Sequence, residues 1–156
     1  MFMLVSNGLT KKETKMITPT WAKETMLEAM ALLKCNYRPK IVWRNADRKH
    51  SGGRAYLPLG KRYVYKGKTY FRYKGRQSKI VVTAGTDLQD QKLVLLHEIA
   101  HIANPLGEVH GKNFWRTAWK LYKHFGIDLD YALNRENNYK KEAGKQFIYL
   151  REQGKL

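Results

Sequence analysis

One stretch in the middle of the chain limits its fold more than any other: residues 93–103 are apolar except for His97, Glu98 and His101. A helix that is apolar on all sides lies in the interior of a protein rather than at its surface. Burying two imidazoles and a carboxylate without partners would cost on the order of several kcal/mol. The stretch therefore predicts a buried helix whose three polar side chains share a common partner.

The spacing of these residues indicates what the partner is. Because His97 and His101 are four positions apart, a helix places them one above the other on one face, where their nitrogens can bind a divalent ion at about 2.0–2.1 Å. Glu98 then lies beside the ion and can accept a proton from a water molecule at the open coordination position. This H-E-x-x-H arrangement of zinc hydrolases predicts bound Zn2+, with Glu98 as the catalytic residue. The alternative is a chance match, or a relic in which the histidines are only structural.

A tetrahedral zinc site needs a third protein ligand, and His110 is the nearest candidate along the chain. Eight residues separate it from His101, and the Asn-Pro-Leu-Gly sequence among them ends the helix. That much chain can turn and bring the start of the next helix back to the ion. His50, His124 and Glu108 are the alternatives. His50 lies in a polar loop, His124 is expected to face solvent or the helix end, and Glu108 follows the end of the helix too soon.

The segments 97–101 and 110–114 together resemble the SprT-like (Spartan-like) metalloprotease family. That family pairs H-E-x-x-H with a downstream H-G-x-x-F/W, and the second motif here reads His110-Gly111-Lys112-Asn113-Phe114. The resemblance is specific in these segments. It extends more loosely over residues 18–126, where a helix and a few strands surround a Gly-x-Ala turn.

The resemblance implies a function as well as a site. It implies that the zinc ligands are His97, His101 and His110, that Glu98 is the catalytic residue, and that the substrates are proteins attached to DNA. The chain departs from the family in one respect. Many members carry a cysteine-rich zinc ribbon after the protease domain, whereas Cys35 is the single cysteine here. Any DNA-binding surface must therefore lie elsewhere.

The charge of the chain favours a polyanionic partner. Lys and Arg number 30 against 13 Asp and Glu, which gives a net charge of +17. No acidic residue occurs from Lys49 to Thr86, and the cations of this span are interleaved with tyrosines. Cations bind phosphates and exposed rings stack on unpaired bases, so the span is expected to bind nucleic acid. The alternative is a half-buried hairpin whose lysines only keep an edge strand soluble. The expected contacts are Arg54, Lys61, Arg62, Lys66, Lys68, Arg72, Lys74 and Arg76.

The order of the patterns predicts an α+β fold, with an N-terminal helix, a small and mainly antiparallel sheet, and two helices that carry the zinc site. Three regions are expected: a leader over 1–17, the metalloprotease domain over 18–126 and a partly helical C-terminal extension over 127–156. The predicted strands are 40–44, 54–57 after a turn at 51–53, a hairpin at 61–74 around Gly67, and 79–83.

Terminal signals predict where the helices begin and end. Thr18 is expected to cap a helix over 18–35, and a capping box of Thr86 and Gln89 to open the metal-binding helix, which runs to about residue 103. A further helix is expected over 110–125, closed by Gly126.

Two further functional classes remain open. One is a zinc protease of a specific free protein, without dependence on nucleic acid; the other is a non-enzymatic nucleic-acid-binding protein with a structural zinc, which a closed four-ligand site would mark. The oxyanion-stabilising group is open between a tyrosine of the basic hairpin and His124. We expect a monomeric cytoplasmic protein, because a single cysteine suits a reducing compartment and no apolar run reaches the roughly 18 residues of a membrane span.

Overall fold

The computed structural model describes residues 15–57, 61–72, 78–105 and 108–156. Helices and strands are both present in these ranges and confirm the predicted α+β class. The strands are β1 (Lys15–Met16), β2 (Lys40–Asn45), β3 (Gly52–Tyr56), β4 (Lys61–Tyr65), β5 (Lys68–Arg72) and β6 (Lys79–Ala84). The helices are α1 (Thr20–Leu32), α2 (Leu88–Ala103), α3 (Lys112–His124), α4 (Leu129–Tyr139) and α5 (Lys141–Glu152).

Four of the strands form one sheet in the order β1-β2-β6-β3. The central pairing of β2 with β6 is parallel, whereas β1 on β2 and β3 on β6 are antiparallel. Burial alternates along β6, so that Ile80, Val82 and Ala84 face the core while the residues between them do not. Helix α2 packs on the inward face, against β3 and β6.

The basic segment forms the predicted hairpin, a separate two-stranded sheet of β4 and β5. Its turn consists of Lys66 and Gly67, with φ of 48° and 72°. Positive φ at both central residues is the geometry of the two-residue turn that matches strand twist, and Gly67 adopts it without steric cost.

Three local predictions are wrong in their details. Helix α1 begins at Thr20 behind Pro19, because the Thr18 hydroxyl donates to the Ile41 carbonyl instead of capping the helix. The expected turn at 51–53 is instead the start of β3 at Gly52. Helix α2 is capped by Asp87, whose carboxylate accepts the Asp90 backbone N–H at 3.0 Å, so the capping residue is one position later than Thr86.

The C-terminal part of the chain is more helical than predicted. Helix α3 ends where Gly126 adopts a φ of 69°, as expected of a glycine after a helix. Beyond it, α4 and α5 pack against each other, and α5 packs on α3. Ala132, Ala143 and Phe147 belong to the same core cluster as α2, so residues 127–156 contribute to the core that holds the site. Among the described residues, no helix has the length and apolarity needed to cross a bilayer.

Candidate metal centre

Three histidines from two parts of the chain converge in the structure. His97 and His101 are on α2, and His110 lies in the turn before α3, with a φ of 56°. Its Nε2 atom is 3.1 Å from Nε2 of His97 and 3.0 Å from Nε2 of His101. Four-coordinate zinc with bonds of about 2.0–2.1 Å separates its ligand nitrogens by about 3.3 Å. The three nitrogens therefore stand at nearly the separations that a shared ion requires.

Hydrogen bonding among the histidines alone cannot satisfy this arrangement. The Nε2 atom of an imidazole carries either one hydrogen or one lone pair, so it makes one good hydrogen bond. His110 Nε2 faces two nitrogens at once, and one of the two contacts therefore lacks a hydrogen bond in every protonation state. A cation that accepts one lone pair from each ring removes the conflict. The donor set, three imidazoles, is one that suits zinc.

Electrostatics favours neutral rings at two of the three positions. Burial lowers the pKa of His101 to about 3, with further lowering by the charges of His97 and His110. Burial and His97 lower the pKa of His110 to about 4. Burial also lowers the pKa of His97, but the hydrogen bond and negative charge of Glu136 outweigh it, so that pKa lies above its usual value. At neutral pH, His101 and His110 therefore offer lone pairs without first losing a proton.

Glu136 of α4 supports the site from behind. Its Oε1 atom accepts from His97 Nδ1 at 3.1 Å and from the Tyr122 hydroxyl at 2.6 Å. The first bond directs His97 Nε2 toward the other two histidines, and a carboxylate behind a ligand histidine also raises its basicity. The rings are further held by Phe114, whose centroid is 4.3 Å from that of His101, and by Trp115, which stacks on His110.

Glu98 lies next to His97 in a tight, mostly buried environment. Burial raises its pKa to about 7, against the opposing effect of the charge on His97. The Ala55 backbone N–H of β3 donates to its carboxylate. Glycine at position 53 allows this close approach, because a Cβ there would lie 2.6 Å from Glu98 Oε1 and 2.8 Å from Val94 Cγ1 and would force a shift. A carboxylate with a pKa near neutrality, beside the three histidines, is suited to accept and return a proton.

A cleft of about 270 Å³ opens at this site between β3, α2 and α4. Gly52 and Gly53 form one wall and Arg135 and Tyr139 another, with His97, Glu98 and Glu136 also in the lining. The Tyr139 ring is 5.2 Å from that of His110, and its side chain is 58% exposed. Glu98 therefore lines a cleft that is open to solvent, with the largely exposed Tyr139 in its wall.

A buried carboxylate on α2 fixes the position of α4. Asp90 is fully buried, accepts from the Ser51 backbone N–H and from the Tyr131 hydroxyl, and pairs with Arg135. Arg135 also donates to the Ser51 carbonyl at 2.9 Å. Because Arg135 immediately precedes Glu136, this network fixes the position along α2 at which Glu136 contacts His97.

The alternatives to His110 lie away from the three-histidine cluster. His124 pairs with Glu28 at 2.8 Å, His50 is 3.8 Å from Asp90, and Glu108 is exposed in the turn before α3. Sequence reasoning missed Glu136, Arg135 and Tyr139, which come from the segment expected to be an extension. The one sequence feature that could have indicated these residues is the polar face of α4.

The expected nucleic-acid contacts are spread over two sheets. Arg54 is exposed on β3, and Lys66 and Lys68 are exposed at the turn of the hairpin. Lys61, Arg62 and Arg72 belong to the hairpin strands β4 and β5. Lys74 and Arg76 lie outside the described residues.

The chain matches no family model, no curated protein and no solved structure.

Proposed function

We propose that the protein is a zinc-dependent peptidase that cleaves proteins held on DNA. The observation that carries the proposal is the convergence of His97, His101 and His110 through their Nε2 atoms, with the Glu98 carboxylate on the adjoining wall of an open cleft. Three imidazole donors and one open position are the composition of a catalytic rather than a structural zinc site.

The chemistry divides between the ion and the protein. When bound by the three histidines, zinc would act as a Lewis acid that acidifies a water molecule and polarises a carbonyl group. Glu98 accepts the proton of the attacking water and returns it to the departing amine nitrogen. Its pKa of about 7 suits both transfers, since it takes and releases a proton near neutral pH. Glu136 keeps His97 in its ligand orientation throughout.

The charge that develops on the carbonyl oxygen needs a hydrogen-bond donor, and Tyr139 is suited to supply it. It lines the cleft together with Arg135, but Arg135 is already bound to Asp90 and Ser51. Tyr139 is 58% exposed, and its hydroxyl is therefore our assignment for the oxyanion-stabilising group. His124 of α3, the candidate from the sequence, pairs instead with Glu28 of α1, and neither residue lines the cleft.

The nature of the substrate rests on charge and on the resemblance. The net charge of +17 favours a polyanion, and the resemblance of segments 97–101 and 110–114 to SprT-like proteases implies DNA-attached protein substrates. With Cys35 as its one cysteine, the protein suits the reducing environment of a cytoplasm.

The second candidate is a nucleic-acid-binding protein with a structural zinc. Such a site would be closed by a fourth protein ligand. Among the described residues, the cluster with metal-ligand spacing contains three members and no fourth, which favours the peptidase.

A cleavage assay with two kinds of substrate tests the proposal. The zinc-loaded protein is incubated with an unfolded protein free in solution and with a protein crosslinked to DNA, with and without a chelator. We expect chelator-sensitive cleavage of both, and faster cleavage of the crosslinked protein. Equal rates on the two substrates would favour the free-protein protease, and zinc binding without any cleavage would favour the structural zinc.

A further inference from the structure

The four-stranded sheet has one face that points away from the core. Residues 80, 82 and 84 of β6 face inward, so Lys79, Val81 and Thr83 face the other way. The register places Lys79 directly between Lys40 of β2 and Tyr56 of β3. All of these side chains are half-buried or exposed, in contrast to the buried inward row. We call this side of the sheet the outer face.

Cations follow one another across the outer face. Arg54 on β3 lies opposite Val81, two residues from Tyr56, and is exposed. Arg44 on β2 lies opposite Thr83, on the row that also holds Gly52. A guanidinium nitrogen of Arg48 comes within 3.1 Å of where a Cβ at Gly52 would stand, so Arg48 reaches the same surface. No acidic residue occupies an outward position of β2, β3 or β6.

The outer face is concave where these residues meet. A groove of about 370 Å³ is lined by strand residues of β2, β3 and β6, with Arg44, Arg54, Tyr56 and Lys79 among them. The Lys79 ammonium lies over the Tyr56 ring at 4.4 Å from its centroid, while the tyrosine stays 42% exposed. An exposed ring among cations is the combination that binds unpaired bases and their phosphates.

The groove and the cleft beside Glu98 are neighbours across β3. The two cavities lie on opposite faces of β3, and Gly52 and Gly53 contribute to the lining of both. Strand β3 is at one edge of the described sheet, so a polymer on the outer face can reach the cleft by passing over a single strand.

We propose that the outer face binds single-stranded nucleic acid, with phosphates at Arg54, Lys79 and Arg48 and a base stacked on Tyr56. This deepens the proposed function and rests on its nucleic-acid half, because a strand bound here would hold an attached protein beside Glu98. A single strand fits better than a duplex, whose bases are already stacked and cannot cover Tyr56. An acidic peptide has the charge but lacks bases for the ring.

Binding of a labelled oligothymidylate to the full-length protein, followed by fluorescence anisotropy, tests this proposal. Reversing two cations, Arg54→Glu with Lys79→Glu, should weaken binding by about tenfold or more and flatten the log–log salt dependence by about 0.7 per lost contact. The matched control reverses two exposed cations of α5, Lys141→Glu with Lys145→Glu, which changes the net charge equally. It should weaken binding only slightly and leave the salt slope unchanged.

The tyrosine and the competing ligands give independent readouts. Tyr56→Leu should weaken binding by about fivefold or more at an unchanged salt slope, because it removes stacking and no charge. A duplex of the same length and a polyglutamate peptide should both compete poorly. Thermal melts of each variant establish that it is folded, and loss of binding in a folded variant counts in favour of the proposal.

Three results would overturn the inference. The α5 control variant could weaken binding as much as the outer-face variant, the duplex or polyglutamate could compete as well as the single strand, or the unmodified protein could fail to bind the oligonucleotide at low salt. Cleavage of a free peptide by the unmodified protein is measured in parallel. Its persistence without oligonucleotide binding would reject the outer face as a nucleic-acid site and leave the peptidase proposal standing.

Discussion

Glu136 of α4 accepts a hydrogen bond from His97 Nδ1 of α2 at 3.1 Å, across 39 positions of the sequence. This bond joins the C-terminal helices to the three-histidine cluster. It orients one imidazole ring of the cluster, and the same Oε1 atom also accepts a hydrogen bond from the Tyr122 hydroxyl. The supporting carboxylate thus comes from a part of the chain that no local motif connects with α2.

Replacing this carboxylate should weaken metal binding without removing a ligand. We expect Glu136→Gln to lower zinc affinity by about 10–100-fold, because the amide is a weaker acceptor and leaves His97 less basic and less firmly oriented. Competition against a chromophoric chelator measures the change. Tyr122→Phe is the matched control, since it removes the other hydrogen bond to the same oxygen and should change zinc affinity much less. Equal losses in the two variants would indicate a general packing effect.

Glu98 should be required for turnover and dispensable for the ion. Glu98→Gln keeps the size of the side chain but cannot accept a proton from water, so we expect turnover to fall by about 10²–10⁴-fold. Zinc content, measured by elemental analysis on the same preparation, should stay near that of the unmodified protein. Undiminished turnover by the zinc-loaded variant would remove Glu98 from the role of general base.

Substitutions at Gly52 and Gly53 test the close approach between β3 and α2. Gly53→Ala would place a Cβ 2.6 Å from Glu98 Oε1 and 2.8 Å from Val94 Cγ1, so strand or carboxylate must move. We expect a loss of about 1–3 kcal/mol in the free energy of unfolding, together with reduced turnover. Gly52→Ala is the control: its Cβ would meet only the flexible end of Arg48 at 3.1 Å. Chemical denaturation should show a much smaller change for that variant.

Local sequence patterns predicted the part of the site that lies within residues 97–110. The i, i+4 histidines, Glu98 and the return of the chain at His110 all follow from helix geometry and from residues that end a helix. Glu136 could not be predicted in this way, because a glutamate on an amphipathic helix has many equivalent roles until packing selects its partner. The Asp90–Arg135 pair that fixes α4 is likewise a tertiary contact between distant segments.

The outer face could not be predicted from sequence for the same reason, because it depends on contacts between distant strands. The acid-free span from Lys49 to Thr86 includes the hairpin, whereas Lys40 and Arg44 lie before Asp47 and are outside that span. Their position beside Lys79 and Thr83 depends on the parallel register of β2 and β6. Strand alternation gives two faces from sequence, but only the pairing of strands shows which residues of different strands share one.

The buried Glu98 carboxyl should make the metal-free protein lose stability as pH rises. Its pKa is about 7 when folded against a usual value of 4.5, so between these values the folded state holds the proton that the unfolded state has released. The free energy of unfolding therefore falls through this window, by up to about 3 kcal/mol at roughly 1.4 kcal/mol per pKa unit. Relative to the unmodified protein, Glu98→Gln should gain stability from pH 4.5 to 7 and little beyond. Denaturation of both proteins in chelator across this range measures the difference, and a pH-independent difference would contradict it.

Tyr139 should act on the transition state rather than on the ground state. Its ring lies 5.2 Å from that of His110 in the wall of the cleft. If its hydroxyl donates to the developing oxyanion, Tyr139→Phe should lower kcat by about 10²–10³-fold, the usual cost of losing one such donor. KM and zinc affinity should change little, because neither depends on the hydroxyl. Tyr149→Phe, at an exposed tyrosine of α5 outside the cleft lining, is the matched control and should leave kcat unchanged. A Tyr139→Phe variant that raises KM at constant kcat would assign the tyrosine to substrate binding instead, and Arg135 would then be the remaining donor in the wall of the cleft.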